Sequence, residues 1–446
     1  MAATLPLLFG VLIGGRMLRS YGQVIMTMMA IVLWSFFLIR PLFLVSHPEF
    51  FKFILLYSID MRLQIATLLQ LAIFNGIVIA VLGVLLRTVG HVPARRIFRA
   101  EEMTKSVTSL TPLFLATGTV YLAVSLLAVV SPDFGGKILS LSELVLPVSF
   151  LSVYAIALLV LRFDIEISRD TVVLAIAIVA TYMLSQLFQG SKSFLLELAF
   201  IGIFAMLIFK GDVVISMKKL FRYSGFALII FVSFPVAMAV RRISSETGFS
   251  GLSLGDISSR IQFMAAGVNY ESVSIFIVDL FTKRLNGYDG LIAALQIAPD
   301  AAPDELSVAV MFANAMAAIV PGLQSSHDSF GTITSRMFYP FLSEENDHGG
   351  AIGSFGMLSL FARNSEMWSF VAVALYAAWI AAIMVFSARV KIPVPLRVSI
   401  VGALFTAQVI AVSGGNFDRS FRDLVATIFQ ATTVFYFMKV RFSFGN

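Results

Sequence analysis

Residues 23–45 read QVIMTMMAIVLWSFFLIRPLFLV, an apolar run that contains one charge, Arg40. As an α-helix this run rises about 35 Å, enough to cross a hydrocarbon layer about 30 Å thick. Similar runs recur along a chain of 446 residues, of which 59% are hydrophobic and 13% are charged. Soluble domains carry roughly 25% charged residues, so the polar surface here is too small for a soluble globule of this size. The sequence predicts an all-α, polytopic transmembrane helical bundle.

About eleven spans are predicted, and strands are disfavoured because the runs do not alternate between polar and apolar residues. The run at residues 2–15 is interpreted as a span rather than a signal peptide, because it lacks a basic start and a cleavage site before Arg16. The predicted spans are 2–15, 23–45, 65–86, 109–131, 143–161, 171–188, 193–209, 225–240, 367–387, 398–413 and 424–438.

The basic residues sort to one side of these spans. Alternate short connections, the last of which carries Lys439 and Arg441, hold 18 of the 32 lysines and arginines, and the opposite short connections hold six. Short cytoplasmic loops are enriched in lysine and arginine. We therefore predict a periplasmic N-terminus and a cytoplasmic C-terminus. The excess of basic residues behind the net charge of +6 therefore lies in cytoplasmic loops, where it fixes the orientation of the spans. This distribution argues against a nucleic-acid partner.

The longest connection, residues 241–366, is predicted to be a large periplasmic loop with thirteen acidic and seven basic residues. It separates an N-terminal bundle at 1–240, of about eight spans, from a C-terminal segment at 367–446, of about three. Two apolar stretches in the loop, 256–280 and 306–320, are interpreted as amphipathic or re-entrant helices at the outer leaflet. A pair of true spans there would preserve the charge asymmetry, so the two alternatives stay open.

Two charges lie well inside predicted spans, where an ionisable side chain is costly and is a candidate for function. They are Arg40, before Pro41, and Glu197, one turn into the seventh span. Each alternatively pairs with a neighbour or extends toward the interface. Lys192 lies in the turn Gly190–Ser193, whose amides begin that span and favour a bound anion, although an ordinary hairpin fits the turn too.

Basic residues are also concentrated at the outward-facing ends of spans, called outer mouths below. Basic residues are disfavoured there because they are enriched in cytoplasmic loops. Guanidinium groups bind phosphate oxygens in a bidentate way, so a diphosphate at the outer surface fits this distribution, and ion pairs with Asp418, Asp423 and Glu246 are the alternative. The predicted substrate-binding residues at these mouths are Arg241, Arg242, Arg419 and Arg422.

The long loop adds further candidates. His327 beside Asp328 fits a general acid or base, although exposed loop histidines are usually inert. Arg260 and Glu271 fall roughly on one face of a predicted helix, and Arg336 closes the polar segment that begins at Ser325. Glu197, Glu271, His327 and Asp328 are therefore the candidate catalytic residues, with Arg40, Lys192, Arg260 and Arg336 added to the substrate-binding set.

No metal or cofactor is predicted. The chain has no cysteine, and it lacks a spaced zinc motif, a Walker loop, a dinucleotide fingerprint and a serine-hydrolase elbow. A chemistry that needs only carboxylates, histidine and arginine is favoured.

The arrangement resembles the bacterial O-antigen and exopolysaccharide repeat-unit polymerases, which have ten or more spans and a large periplasmic loop in the C-terminal half. Gln189-Gly190-Ser191-Lys192-Ser193 stands in place of the short outer turn Thr-Gly-Ser-Arg-Gly of that family. The glycine-rich stretch 349–356 is also typical of it. Lys192 departs from the usual arginine, and an arginine–ten residues–glycine spacing is absent after Arg241, Arg242 and Arg260.

The resemblance implies a glycosyltransferase of the bacterial inner membrane. Its substrate is an undecaprenyl-diphosphate-linked oligosaccharide, and the growing glycan moves from its lipid diphosphate to the next lipid-linked repeat. A chain-length regulator and a flippase are the further partners that the family implies. Lipopolysaccharide biosynthesis is one setting for such an enzyme, and no cofactor is needed.

Three other classes of protein are alternatives. An O-antigen ligase would share the donor, but its histidine-to-glycine spacing is not found after His327. A protein mannosyltransferase would carry an acidic pair after the first span, where only the separated Glu49 and Asp60 occur. A transporter or flippase for lipid-linked oligosaccharides would show inverted repeats and charges near the bilayer midplane, whereas the charges here gather at the outer rim.

Overall fold

In the described part of the chain the fold is all-helical, and the bounds below come from a computed structural model. The structure describes residues 20–47, 61–87, 98, 102–103, 107–162, 167–189, 194–210, 236, 239, 254–266, 287–296, 307–319, 353–363, 365–389, 392–414 and 417–444. The helices are α1 (Tyr21–Ser46), α2 (Met61–Leu85), α3 (Val107–Val130), α4 (Pro132–Val145), α5 (Val148–Leu161), α6 (Arg169–Phe188), α7 (Phe194–Lys210), α8 (Leu254–Ala266), α9 (Gly287–Leu295), α10 (Val308–Ile319), α11 (Gly353–Phe361), α12 (Glu366–Arg389), α13 (Val394–Gly414) and α14 (Phe417–Phe444).

Five of the described helices are long and apolar enough to cross a membrane, and a bent pair raises the number to six. Two shorter apolar segments, Glu197–Phe209 and Val394–Gln408, also coincide with predicted spans. The predicted first span and nearly all of the eighth lie outside the described residues. The all-helical class is thus confirmed for the described chain, while eleven spans and a periplasmic loop stay predictions. The five are Tyr21–Val45, Arg62–Leu85, Leu110–Ala128, Arg169–Phe188 and Glu366–Arg389.

The chain forms two compact units. The first comprises Met1–Pro93, Thr282–Arg389 and Leu404–Val425, and the second comprises Ala94–Phe281, Val390–Ala403 and Ala426–Asn446. The three-part division at 240 and 366 stays a prediction.

In the first unit α1 and α12 are joined at the end predicted to face the cytoplasm. The Tyr21 hydroxyl donates to the Met384 carbonyl at 3.1 Å, across 363 residues of sequence. The helix α1 continues through Pro41, although a proline inside a helix removes a backbone hydrogen bond and usually breaks or kinks it. Membrane helices tolerate an interior proline when neighbouring groups satisfy the freed backbone.

In the second unit a predicted span is broken. Residues 143–161 were expected to form one helix, but α4 and α5 meet at a bend of 53° around Leu146-Pro147. Proline has no amide to donate, and its ring clashes with the preceding turn, so the helix ends there.

The side chain of Gln430, from α14, replaces hydrogen bonds that the break removes. Its amide nitrogen donates to the Glu143 carbonyl at 2.6 Å, and its oxygen accepts from the Ser149 amide at 3.2 Å. Gln430 is only 1% exposed. One buried glutamine therefore satisfies a backbone acceptor on α4 and a backbone donor on α5, which an isolated bent helix would leave unpaired.

Candidate functional site

Glu197 lies in the first turn of α7 and is 6% exposed. The Tyr182 hydroxyl, on α6, donates to its Oε2 at 3.2 Å, and Tyr182 is itself 7% exposed. A buried carboxylate is retained only where hydrogen bonds or opposite charges compensate its lost hydration. The Glu197 carboxylate therefore points toward Tyr182 inside the second unit.

A second glutamate of the same unit has a tyrosine partner as well. The Tyr121 hydroxyl, on α3, donates to Oε1 of Glu143 at 3.0 Å, on α4 just before the break. Two glutamines donate to the same hydroxyl, Gln186 of α6 at 3.3 Å and Gln189, the residue that caps α6, at 2.8 Å. Gln189 also donates to the Ser125 hydroxyl at 3.0 Å. A tyrosine hydroxyl that itself accepts from two amides thus donates to a carboxylate that is half-buried.

Residues of α6 lie next to both glutamates. Tyr182 donates to Glu197, and Gln186 donates to the Tyr121 hydroxyl, which in turn donates to Glu143. Tyr182 and Gln186 are four residues apart on α6, so they lie one turn apart on one face. This face, with Gln189 one turn further on, presents polar groups to α3 and α7. We call Tyr121, Glu143, Tyr182, Gln186 and Glu197 the carboxylate network. Its members can bind hydroxyl groups, and either carboxylate can accept a proton from one.

Arg40 has a different environment, in the first unit. Its Nε lies 3.1 Å from Oδ2 of Asp289, and both side chains are 0% exposed. The Phe43 ring lies 5.5 Å from the guanidinium carbon. The pair joins α1 to the short helix α9, of which residues 287–294 are all buried. The alternative raised from the sequence, that Arg40 pairs with a neighbour, is what the structure shows, and no diphosphate is needed to explain its charge.

The approach of α9 to α1 depends on a glycine. A Cβ at Gly287 would lie 2.5 Å from the Phe37 ring and 3.0 Å from the Phe36 carbonyl oxygen, so a larger residue would push α9 away. Next to the ion pair, burial and then the Asp289 carboxylate raise the pKa of the Tyr288 phenol above its usual range. Tyr288 therefore stays protonated and neutral at physiological pH.

The remaining predicted site residues are only partly described. Arg422 contacts Asp423 at 3.2 Å, with the side chains 32% and 21% exposed, which matches the ion-pair alternative for that residue. Arg260 lies half-buried on α8, and Arg419 lies on α14 with its side chain outside the description. The predicted site residues that lie outside the described residues are Lys192, Arg241, Arg242, Glu271, His327, Asp328 and Arg336. Their roles stay predictions.

Sequence reasoning missed Asp289 and Glu143. Asp289 lies in a loop segment of ordinary composition, and only its place between Gly287 and Gly290, before an apolar run, hinted at a packed helix. Glu143 lies at the edge of a predicted span, where a carboxylate is usually interfacial. Pro147 four residues later was a usable signal, because a proline inside an apolar run predicts a broken helix near functional groups.

Within the described residues no group of three or more histidine, aspartate and glutamate side chains could hold a metal ion. Comparison of the chain with protein-family models, with curated proteins and with solved structures found no match.

Proposed function

We propose that the protein is a glycosyltransferase of the bacterial inner membrane that polymerises undecaprenyl-diphosphate-linked oligosaccharide repeat units at the periplasmic face. The observation that carries the proposal is Glu197, a buried carboxylate at the start of α7 with Tyr182 as donor. It lies one turn from the predicted outer end of its span. There it can meet the hydroxyl of an acceptor sugar whose lipid anchor is in the same membrane.

The chemistry needs one base and a stabilised leaving group. Glu197 accepts the proton of the acceptor hydroxyl while that oxygen forms a bond to the anomeric carbon of the donor glycan. The bond from this carbon to the diphosphate oxygen breaks, and undecaprenyl diphosphate leaves with both bonding electrons. Predicted arginines at the outer mouths, Arg241 and Arg242 among them, stabilise the charge that develops on the diphosphate. Both substrates are anchored in one bilayer, which supplies proximity.

Two contacts within the first unit support the predicted sidedness. In the first unit Arg40, near the predicted outer end of α1, pairs with Asp289 from the predicted outer loop. Tyr21 meets Met384 at ends that are both predicted to be cytoplasmic. The sidedness itself is tested by reporter fusions at Asn346 and Asn446, which we expect to report opposite sides of the membrane. The same side for both would contradict the topology.

The polymerase proposal is tested with purified protein in lipid nanodiscs and lipid-linked repeat units as the sole glycan. We expect a ladder of lipid-linked glycans that differ by one repeat, with release of undecaprenyl diphosphate. Empty nanodiscs and heat-inactivated protein are the controls. A single unreacted band with protein shown to be folded would contradict the proposal. Addition of lipid A–core separates a ligase, which would move the glycan to that acceptor instead.

A transporter of lipid-linked oligosaccharides is the second candidate, and one observation favours it. The helix pair α4–α5 is broken at Pro147, with Glu143 hydrogen-bonded just before the break. Transporters commonly place substrate sites at discontinuous helices. Proteoliposomes separate the two functions: a transporter would move intact lipid-linked repeat units across the bilayer without joining them, whereas the polymerase would join them on one side.

A further inference from the structure

A chain of hydrogen bonds in the second unit ends at the Glu143 carboxylate, and each bond in it has a fixed direction. The Ser125 hydroxyl donates its one proton to the Tyr121 carbonyl at 2.8 Å, so its oxygen can only accept from Gln189. Gln189 must therefore present its amide nitrogen, which also donates to the Tyr121 hydroxyl at 2.8 Å. Gln186 donates to the same hydroxyl at 3.3 Å. Both acceptor positions of the Tyr121 hydroxyl oxygen are then filled.

The Tyr121 hydroxyl is left to act as a donor to Glu143. Its one proton points at Oε1 of Glu143, 3.0 Å away. Tyr121 is 1% exposed, so packing also holds its ring in place. A carboxylate has about four lone-pair sites, and Glu143 is only half-buried. The pair can therefore accept hydrogen bonds from a ligand but cannot donate one, so a ligand that binds here has to be a donor.

Glu143 lies inside the broken span rather than at its edge. The two helices that together could form this span begin at Lys137, so Glu143 lies roughly 9 Å along α4 from that point. Its partner Tyr121 lies within the candidate span Leu110–Ala128. An ionisable side chain at such a depth is costly, and in membrane proteins it usually marks a substrate path or a binding site.

Two contacts fix the part of the backbone that carries Glu143. A Cβ at Gly135 would lie 2.5 Å from the backbone nitrogen and the Cα of Ala128, so the glycine permits α4 to fold back closely along α3. At the other end of α4, the Gln430 amide donates to the Glu143 carbonyl at 2.6 Å. The carboxylate is thus held in place before a ligand arrives, which lowers the entropic cost of binding.

We propose that Glu143 binds a hydroxyl group of a neutral sugar, as a substrate-binding carboxylate in addition to the proposed base Glu197. A sugar hydroxyl is a donor, as the Tyr121–Glu143 pair requires. A phosphate would be repelled by the carboxylate, and among the described residues no group of three acidic or histidine side chains could hold a metal ion. The assignment of the sugar to a glycan substrate rests on the proposed function, whereas the donor character of the ligand does not.

The helix α6 connects this position to the proposed base. Tyr182, which donates to Glu197, and Gln186, which donates to Tyr121, lie one turn apart, with Cβ atoms roughly 6 Å apart. Glu197 takes up the proton of the reacting hydroxyl, while no substrate bond forms or breaks at Glu143. In glycan transfer, Glu143→Gln should therefore raise KM and leave kcat nearly unchanged, whereas Glu197→Gln should lower kcat.

The test measures sugar binding rather than glycan transfer. Wild-type protein, Glu143→Gln and the control Asp170→Asn, an exposed aspartate of the same unit, are purified in a detergent without a sugar headgroup. Methyl glycosides of glucose, galactose, mannose, rhamnose and N-acetylglucosamine are added one at a time, with sodium chloride and sodium phosphate for comparison. Affinity is taken from the rise of the thermal midpoint with ligand concentration.

At least one glycoside should bind the wild type and Asp170→Asn equally. The same glycoside should bind Glu143→Gln about tenfold more weakly, because a hydrogen bond to a charged group is lost. The variant should stay folded, since the glutamine carbonyl can still accept from Tyr121. Tyr121→Phe is an independent check, because it keeps the carboxylate and removes the hydroxyl that orients it, and it should weaken binding of the same glycoside.

Monodeoxy analogues of that glycoside separate a direct contact from a structural role. Removal of the hydroxyl that meets Glu143 should weaken binding about tenfold in the wild type and leave it unchanged in Glu143→Gln. The two changes are then non-additive, as expected for groups in contact. A glutamate with only a structural role would give the same loss for each analogue in both proteins.

Four results would overturn the inference: no glycoside bound by the wild type, equal binding by Glu143→Gln, additive losses for every deoxy analogue, or a shift with the sodium salts alone. None of these results depends on polymerase activity. A glycan ladder without binding that depends on Glu143 leaves the proposed function standing and rejects the hydroxyl site. Binding that depends on Glu143 without a ladder does the reverse.

Discussion

The two units provide different hydrogen-bond donors to the acidic side chains inside them. In the first, Arg40 and Asp289 neutralise each other at 3.1 Å with no exposure to solvent. In the second, Glu197 and Glu143 are hydrogen-bonded by the neutral hydroxyls of Tyr182 and Tyr121. Asp289 accepts from a charged guanidinium, whereas Glu197 and Glu143 each accept from a phenolic hydroxyl. We therefore propose a structural role for the Arg40–Asp289 pair of the first unit and a catalytic role for Glu197 of the second.

The largest effect is expected from separation of the ion pair. Asp289→Ala leaves a buried guanidinium without its carboxylate, which costs about 3–5 kcal/mol of stability. We expect loss of folded protein, measured by monodisperse yield and thermal unfolding in detergent. The control Asp170→Asn, an exposed aspartate in the first turn of α6, should change neither.

The double variant Arg40→Met with Asp289→Leu sharpens this result. Replacement of both partners by apolar residues of similar size is often neutral or stabilising, so folding should recover. Normal glycan transfer by the double variant would fit a structural pair. A folded but inactive double variant would restore the sequence prediction that Arg40 binds substrate and would break the contrast between the units.

A smaller effect is expected at the broken helix. Gln430→Leu leaves the Glu143 carbonyl and the Ser149 amide unpaired, at about 1–3 kcal/mol for each group. The thermal midpoint should fall. The control is Gln408→Leu, since Gln408 is 1% exposed and its Oε1 has no partner among the described residues. It should be neutral or stabilising. Equal destabilisation by both variants would show that packing volume, not the hydrogen bonds of Gln430, supports the break.

The smallest effect on stability is expected at the Tyr182 hydroxyl. Tyr182→Phe removes one donor to Glu197 and should reduce glycan transfer about tenfold, since a hydrogen bond to a charged group contributes about 1.5–3 kcal/mol. Folded yield should stay near normal. Tyr154→Phe is matched, because Tyr154 is buried in the same unit and its hydroxyl is 3.1 Å from that of Thr111. It should lower stability slightly and leave transfer unchanged, and the reverse pattern would contradict a functional Tyr182.

The sequence predicts the described fold to the extent that long apolar runs identify helices. The run at 23–45 became α1 and that at 171–188 became α6. The break at Pro147 was missed because the segment 143–161 is apolar along most of its length, and the side chain that hydrogen-bonds across the break is Gln430, 283 residues further along the chain. Composition cannot reveal such a contact.

The candidate site was predictable in part for a related reason. Glu197 was identified because a carboxylate inside an apolar run needs an explanation. Its partner Tyr182 lies on the preceding helix, and tyrosines in spans are too common to stand out. Asp289 was missed because acidic residues are ordinary in a loop that carries thirteen of them. Only its distant partner Arg40 makes it exceptional.

The most direct test of the account is the rate of glycan transfer by Glu197→Gln, measured per folded molecule in nanodiscs. Glutamine keeps the shape and most hydrogen bonding of glutamate but cannot accept the hydroxyl proton. The control Glu366→Gln makes the same change in the first turn of α12, where the glutamate is exposed. We predict a rate lower by about 10²–10⁴ for Glu197→Gln, with folded yield equal to the control. Transfer at the wild-type rate by folded Glu197→Gln would contradict the account.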